Sequence, residues 1–244
     1  MIFRTFLDTL GFLTRLAPAR VIPEAAMNQC MKYMVPVGLL LGAVVVMPFG
    51  LGLFDNAPWI QAWLMVLLSI FITRGLHFDG LSDVCDAVTT HTNPVRFWEV
   101  IKDSRSGAFG IIGLIMVIVG QVILFHEMAT VEAYGAILWT FVLGRAASVW
   151  LGYHVRHLTR PGLGKLYIDG ATLGTALLSA GIAFIAGVFL AGIAATVAGT
   201  IIVSLMLIPI YRLAVKVGGA NGDFLGCAVM VGEVAAGLGF VLVM

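Results

Sequence analysis

Charge is what this sequence has least of. Only 11% of its 244 residues are Asp, Glu, Lys or Arg, against roughly 25% in a soluble domain, which excludes a water-exposed globule. Cysteine is sparse too. Cys30, Cys85 and Cys227 form no CxxC pair and no even set, so neither a zinc knuckle nor a disulfide framework is expected, and the three read as packing residues. There is no GxSxG elbow and no Ser-His-Asp spacing for acyl transfer. Arg160-Pro161-Gly162-Leu163-Gly164-Lys165 lacks the spacing and the following Ser or Thr of a Walker A loop. No internal repeat or low-complexity tract stands out, and a formal net charge of +1 gives no reason to expect nucleic acid as a partner.

What abounds is apolar: 60% of the residues are hydrophobic. They fall in blocks near 33–54, 58–76, 108–126, 134–153, 172–190, 194–211 and 224–243, each close to the ~20 residues that cross a bilayer. The expected fold is all-α: a polytopic membrane helix bundle of about seven spans, with 1–244 a single integral-membrane domain and no room for a separate soluble one. The start of the chain resembles a signal peptide only superficially, because Asp8 and Arg15 interrupt its apolar run. As a helix it puts Arg4, Asp8, Gly11 and Arg15 on one stripe and Phe3, Phe6, Leu7, Leu10 and Leu13 away from it, the pattern of an interfacial helix.

The basic residues set the sidedness. Arg4, Arg15, Arg20 and Lys32 precede the first block. Arg74, Arg96, Lys102 and Arg105 lie between the second and third, Arg156, Arg160 and Lys165 follow the fourth, and Arg212 and Lys216 follow the sixth. The alternate connections carry no Lys or Arg, and Arg145 is the sole exception. The positive-inside rule puts the N-terminus and the long connections in the cytoplasm. The expectation is a multi-pass membrane protein with its reactive groups facing the cytoplasm, since long polar loops on a rigid bundle carry chemistry.

The densest chemistry is His77-Phe78-Asp79-Gly80-Leu81-Ser82-Asp83-Val84-Cys85-Asp86. On a helix the three aspartates, at i, i+4 and i+7, fall within an arc of about 60° over about 10 Å. Such carboxylates repel unless cations compensate, and hard oxygen donors suit Mg²⁺ or Mn²⁺ better than Zn²⁺. The span is too long for one ion to hold all three, so two ions, or one ion with an Asp in another role, are expected. The bland reading is a solvated helix end whose acids pair with Arg74, Arg96 or Lys102. Gly80 allows close backbone approach, and His77 could orient an Asp or a phosphate or be merely structural.

A second cluster, Lys102-Asp103-Ser104-Arg105-Ser106-Gly107, precedes the third block. Caps and free N–H groups at a helix start, joined by Lys102 and Arg105, suit a phosphate. For Lys102 alone, topology is sufficient reason. Arg145 and Glu233 lie inside spans, where ionisable groups are functional or mutually paired. Arg145 is set with the substrate-binding candidates, a salt bridge to Glu233 being the other reading. Asn221-Gly222-Asp223 opens the last span as an N-cap or as a further acid at the same face. Metal-binding aspartates, Arg and helix starts at one membrane face together suit the breaking of a pyrophosphate by a substrate hydroxyl.

The stretch from His77 to Ala87, followed by Lys102-Asp103-Ser104-Arg105-Ser106-Gly107-Ala108-Phe109-Gly110, resembles the signature of the cobalamin synthase (adenosylcobinamide-GDP ribazoletransferase) family. Phe12-Leu13-Thr14-Arg15-Leu16, Pro36-Val37-Gly38, Arg160 to Gly164, and Gly218-Gly219 with Gly222-Asp223 and Leu225-Gly226 resemble further family segments, so the likeness spans nearly the whole chain. Ala17 before Pro18, Asn221 for a common Thr, and Cys85-Asp86-Ala87 for Ala-Asp-Gly depart from the pattern, but no acid is lost.

The resemblance implies transfer of adenosylcobinamide phosphate from adenosylcobinamide-GDP to α-ribazole or its 5′-phosphate, releasing GMP, with Mg²⁺ as cofactor. On that reading Asp79, Asp83, Asp86 and Asp103 are the metal ligands. Asp79, Asp83, Asp103 and His77 are the catalytic set, with Asp103 a ligand or a base. Lys102, Ser104, Arg105, Gly80, Asp223 and Arg145 bind substrate. Oligomeric state stays open. Two rivals remain: a phosphoalcohol transferase on another acceptor, whose longer DGxxAR…GxxxDxxxD array is absent here, and a transporter using Arg145 and Glu233, against which the concentration of reactive groups at one surface argues.

Overall fold

A computed structural model of the chain describes residues 2–244. Twelve α-helices form: α1 Ile2–Leu13, α2 Glu24–Cys30, α3 Met34–Gly50, α4 Pro58–Thr73, α5 Leu76–Ala87, α6 Pro94–Val100, α7 Ala108–Thr130, α8 Tyr134–Val155, α9 Leu163–Ile168, α10 Leu173–Leu190, α11 Ile193–Lys216 and α12 Gly222–Val241. Among the described residues there is no strand beyond one isolated bridge from Thr159 to Ala220. Six runs are long and apolar enough to cross a membrane: Glu24–Gly50, α7, α8 with its last turn to Leu158, α10, α11 and α12. The pair α4 and α5, bent by 91°, allows a seventh. The all-α bundle expected from composition is the fold observed.

The sequence expects the second span to run to residue 76, but the helix ends at Thr73. Arg74 and Gly75 both take positive φ, 58° and 68°. Their amides bond back to Phe71 and Ile70 at 3.3 and 3.0 Å, a left-handed helix end. Hydropathy cannot register such a stop, because the residues on both sides are apolar. The consequence is that α5 leaves the direction of α4 by 91° and packs against the starts of α7 and α12.

Two helices form the centre. In α8 and α12, 83% and 72% of the spanning window is buried, against 22% in α7 and 28% in α10. They meet through glycines: a Cβ on Gly232 of α12 would lie 2.7 Å from the Cα of Gly144 of α8, so only small residues permit this approach. In α11 the expected end at 211 is overrun to Lys216, with Pro209 inside the helix.

Helix α1 lies against the α4–α5 bend. Arg74 donates from Nη2 to the carbonyls of Gly11 and Phe12 at 2.9 and 2.7 Å, closing the C-terminus of α1. Arg15 reciprocates with its amide on Ile72 and its Nε on Phe71. Leu10 and Leu13 are buried while Phe3 is exposed, so the C-terminal half of α1 packs against the bundle.

Candidate active site

Helix α5 is fixed on both sides by glycines. Facing α12, a Cβ on Gly80 would stand 2.9 Å from the carbonyl oxygen of Asp223, and one on Gly226 3.3 Å from that of His77. Facing α7, the Asp86 carboxylate accepts from the amides of Gly107 at 2.6 Å and Gly110 at 2.7 Å. Helix α7 has no side-chain cap of its own, so Asp86 satisfies its orphan donors from another helix. The expectation allowed one Asp of the run a role other than metal binding, and Asp86 has such a role as an acceptor for the start of α7. Asp86 secures α7 to α5, and the carboxylates of Asp79 and Asp83 are left for chemistry.

The electrostatics of Asp83 tie the cluster together. Burial, then the carboxylates of Asp223, Asp79 and Asp86, push its carboxyl up to about 7. Asp103 is not among the groups acting on it. Among the described residues none of Asp79, Asp83, Asp86 and Asp223 makes an ion pair. The partners that the bland reading named are elsewhere: Arg96 pairs with Glu99 at 2.9 Å, and Arg74 holds α1. The side chain of Asn221 donates to Asp223 at 2.6 Å instead of capping α12.

A cavity of about 210 Å³ opens beside these acids. Its polar rim is His77, Asp79, Gly222 and Asp223, and its inner wall includes Phe12, Leu13, Tyr167 and Leu225. Segments far apart in sequence thus converge on one space: the end of α1, the start of α5, the start of α9 and the start of α12. Asp79 also lines a wider open recess of about 400 Å³ with Arg74, Ser82 and Ser106. No three His, Cys, Asp or Glu side chains among the described residues close on a single point as a ready-made metal cage.

Asp103 sits in the connection before α7 and accepts from the Arg105 amide, Nε and Nη2 at 3.1, 3.0 and 2.8 Å. Those bonds hold its carboxyl down at about 2. Lys102, Ser104 and Arg105 are exposed on the same connection. The structure therefore gives Asp103 to Arg105 rather than to the carboxylate cluster.

Arg145 is corrected as a substrate contact. It is 2% exposed and paired with Glu233, itself 3% exposed. Gln121 donates to the other Glu233 oxygen at 2.6 Å, and Arg145 Nη2 lies 3.5 Å from His77 Nδ1. Because guanidinium only donates, Nδ1 accepts and the His77 ring carries its proton on Nε2. Four helices, α5, α7, α8 and α12, meet in this buried network two residues before Asp79, which ties the start of α5 to the bundle interior.

Sequence reasoning gave Arg74 a topological role or a pairing with the acid run, and Arg160 a place in a family-like loop, but foresaw the contacts of neither. Arg160 lies over the Trp98 ring at 4.6 Å, and its amide bonds to Ala220 at 3.0 Å, bringing the 156–162 connection alongside the start of α12. The signal for Arg74 was its place beside Gly75, immediately before the acid run.

The cobalamin-5-phosphate synthase family model matches residues 5–241. A Nitratidesulfovibrio vulgaris (Miyazaki F) protein named adenosylcobinamide-GDP ribazoletransferase is 44% identical over 240 residues, covering 98% of this chain and 96% of the relative. A Klebsiella pneumoniae (strain 342) protein of the same name is 31% identical over 240 residues, covering 94% and 96%. No solved structure matches significantly. With four of its motif segments meeting at one cavity and the family model covering nearly all of its length, the chain belongs to the cobalamin-5-phosphate synthase family.

Proposed function

We propose that the chain joins adenosylcobinamide-GDP to α-ribazole or its 5′-phosphate at the end of the bundle where α5 crosses α7 and α12. A ribose hydroxyl attacks the corrinoid-bearing phosphorus, the new P–O bond forms, the pyrophosphate P–O bond breaks, GMP leaves with the electron pair, and the hydroxyl proton passes to the departing phosphate. The observation that carries this reading is that Asp79 and Asp223, neither ion-paired among the described residues, line one cavity, with the carboxylate of Asp83 near enough to feel both.

The donor set suits Mg²⁺. The oxygens are hard, their charges repel, and Mg²⁺ takes only one or two protein carboxylates, completing its sphere with water and phosphate oxygens. Asp79 and Asp83, with Asp223 beside them, would hold it, and when bound it neutralises charge developing on the leaving phosphate. Arg105 and Lys102 take phosphate charge, with Asp103 fixing the direction of the Arg105 fork. The cavity accepts the flat apolar base of ribazole against Phe12 and Tyr167, with the ribose turned toward the acids. His77, held by Arg145, keeps the start of α5 in register. The distribution of Lys and Arg supports a bacterial inner-membrane location with this end in the cytoplasm.

The test is reconstitution in liposomes with both organic substrates and Mg²⁺. GMP release requiring all three supports the reading. No release, or release unaltered in Asp79→Asn and Asp83→Asn, overturns it.

A further inference from the structure

Away from the acid cluster, three recesses join into one groove along α8, α10 and α11. The first, about 480 Å³ and almost wholly apolar, lies among Leu143, Ala147, Ala180, Phe184, Val203 and Leu207. A second, about 280 Å³, shares Trp150, Ser204 and Leu207 with it and adds His154 and Tyr211. The third, about 570 Å³ and wide open, shares His154 and Tyr211 with the second and adds Tyr153, Arg156, His157 and Asp169. Shared residues make the path continuous, from hydrocarbon at one end to basic side chains at the other. The two apolar recesses fall in or near the range of roughly 300–1,000 Å³ typical of small-molecule pockets.

Depth identifies the occupant. From Thr200 to Tyr211 along α11 is about 16 Å at 1.5 Å per residue, about half the ~30 Å hydrocarbon core. The groove therefore lies within one leaflet, the one at the basic end, where α8 and α11 finish and α10 begins. Around its neck, Trp150, Tyr153 and Tyr211 surround His154 edge-on, with ring centroids 5.2, 5.2 and 6.1 Å away. Such rings settle at headgroup level. Just beyond stand Arg156, which makes no ion pair among the described residues, and His157. The one carboxylate there, Asp169, is bonded to Lys165 at 2.9 Å, which cancels its repulsion of an anion.

We propose that this groove is a binding site for one anionic phospholipid, its acyl chain laid between α10 and α11 and its phosphate at Arg156. Charge complementarity selects the headgroup, and the one-leaflet length selects a membrane lipid over a soluble phosphate. None of these residues belongs to the proposed transferase site.

The experiment is native mass spectrometry of the full chain, delipidated in mild detergent and titrated with dioleoyl phosphatidylglycerol or dioleoyl phosphatidylcholine. One phosphatidylglycerol per chain is retained at least about fivefold better than phosphatidylcholine, the discrimination expected of one basic side chain at a headgroup. Arg156→Glu removes that preference, and Ala180→Trp, which fills the apolar part, removes retention of both lipids. Both variants keep the parent thermal midpoint within a few degrees, and Ala180→Val guards against misfolding by retaining the lipid. Equal retention of the two lipids, an Arg156→Glu variant that still discriminates, displacement by millimolar glycerol 3-phosphate, or a dimer that Ala180→Trp converts to monomer would each overturn the proposal, the last by giving the groove to a second copy of the chain.

Discussion

Gly80 of α5 rests on the backbone of Asp223 of α12: a Cβ there would stand 2.9 Å from the Asp223 carbonyl oxygen and 3.0 Å from its Cα. Backbone cannot move aside as a side-chain tip can, so Gly80→Ala must push α5 off α12 and part Asp79 and Asp83 from Asp223. Overpacking of this kind costs about 1–3 kcal/mol, and misplacing reacting groups by about 1 Å costs about 100-fold in rate. GMP release by Gly80→Ala is expected to fall by about that factor, with the protein still folded. A variant of parental activity would mean that this close approach does not set the site.

Asp83 links pH to cation binding. Its carboxyl stands at about 7 in the folded protein against an ordinary 3.8. Folding therefore favours its protonated form. Without a cation, stability declines as pH rises from about 4 to 7, and above 7 the penalty is complete. A divalent ion at the cluster reverses this by favouring the carboxylate. Mg²⁺ is expected to raise the thermal midpoint more at pH 8 than at pH 5.5 and to release protons on binding near pH 7. Equal shifts at both pH values would place the ion away from Asp83.

Asp86 and Asp79 are expected to fail differently. Asp86→Ala strips both acceptors from the amides of Gly107 and Gly110, a lost cap worth about 0.5–2 kcal/mol, and lowers the thermal midpoint. The Asp79 side chain makes no hydrogen bond or ion pair among the described residues and lines both recesses. Asp79→Asn should leave the midpoint near the parent value while activity falls by roughly 100- to 1,000-fold, the scale for removing one electrostatic contribution at a reacting centre. Thermal scans and GMP assays on the two variants separate the roles, and interchanged outcomes would reverse the assignment.

Much of this was legible in the sequence for physical reasons. Blocks of apolar residues give the spans, because nothing but a bilayer tolerates so many, and the segregation of Lys and Arg gives their common face. The bend at Arg74 and Gly75 was hidden, since a left-handed helix end costs no hydropathy. The three-aspartate periodicity found the right helix face but could not reveal that Asp86 belongs to α7: the amides it meets are 21 and 24 residues further on. The Arg145–Glu233 pair was legible as an alternative, because two opposite charges inside spans have few other solutions. Its link to His77 was not, because a helix starting across the bundle's end leaves no trace in periodicity.

That pair supplies the last prediction. Removing one partner leaves an uncompensated charge in the bundle interior, so Glu233→Ala is expected to cost about 3–5 kcal/mol, whereas replacing both residues by leucine restores much of the loss. The double variant also takes the donor away from His77 Nδ1, so α5 loses one of its fixings. Thermal midpoints of Glu233→Ala and the double variant, with kinetics on the double, discriminate position from contact. A positioning role lowers kcat and leaves the KM for adenosylcobinamide-GDP near the parent value. A raised KM with kcat intact would return Arg145 to the substrate, against its burial beside Glu233.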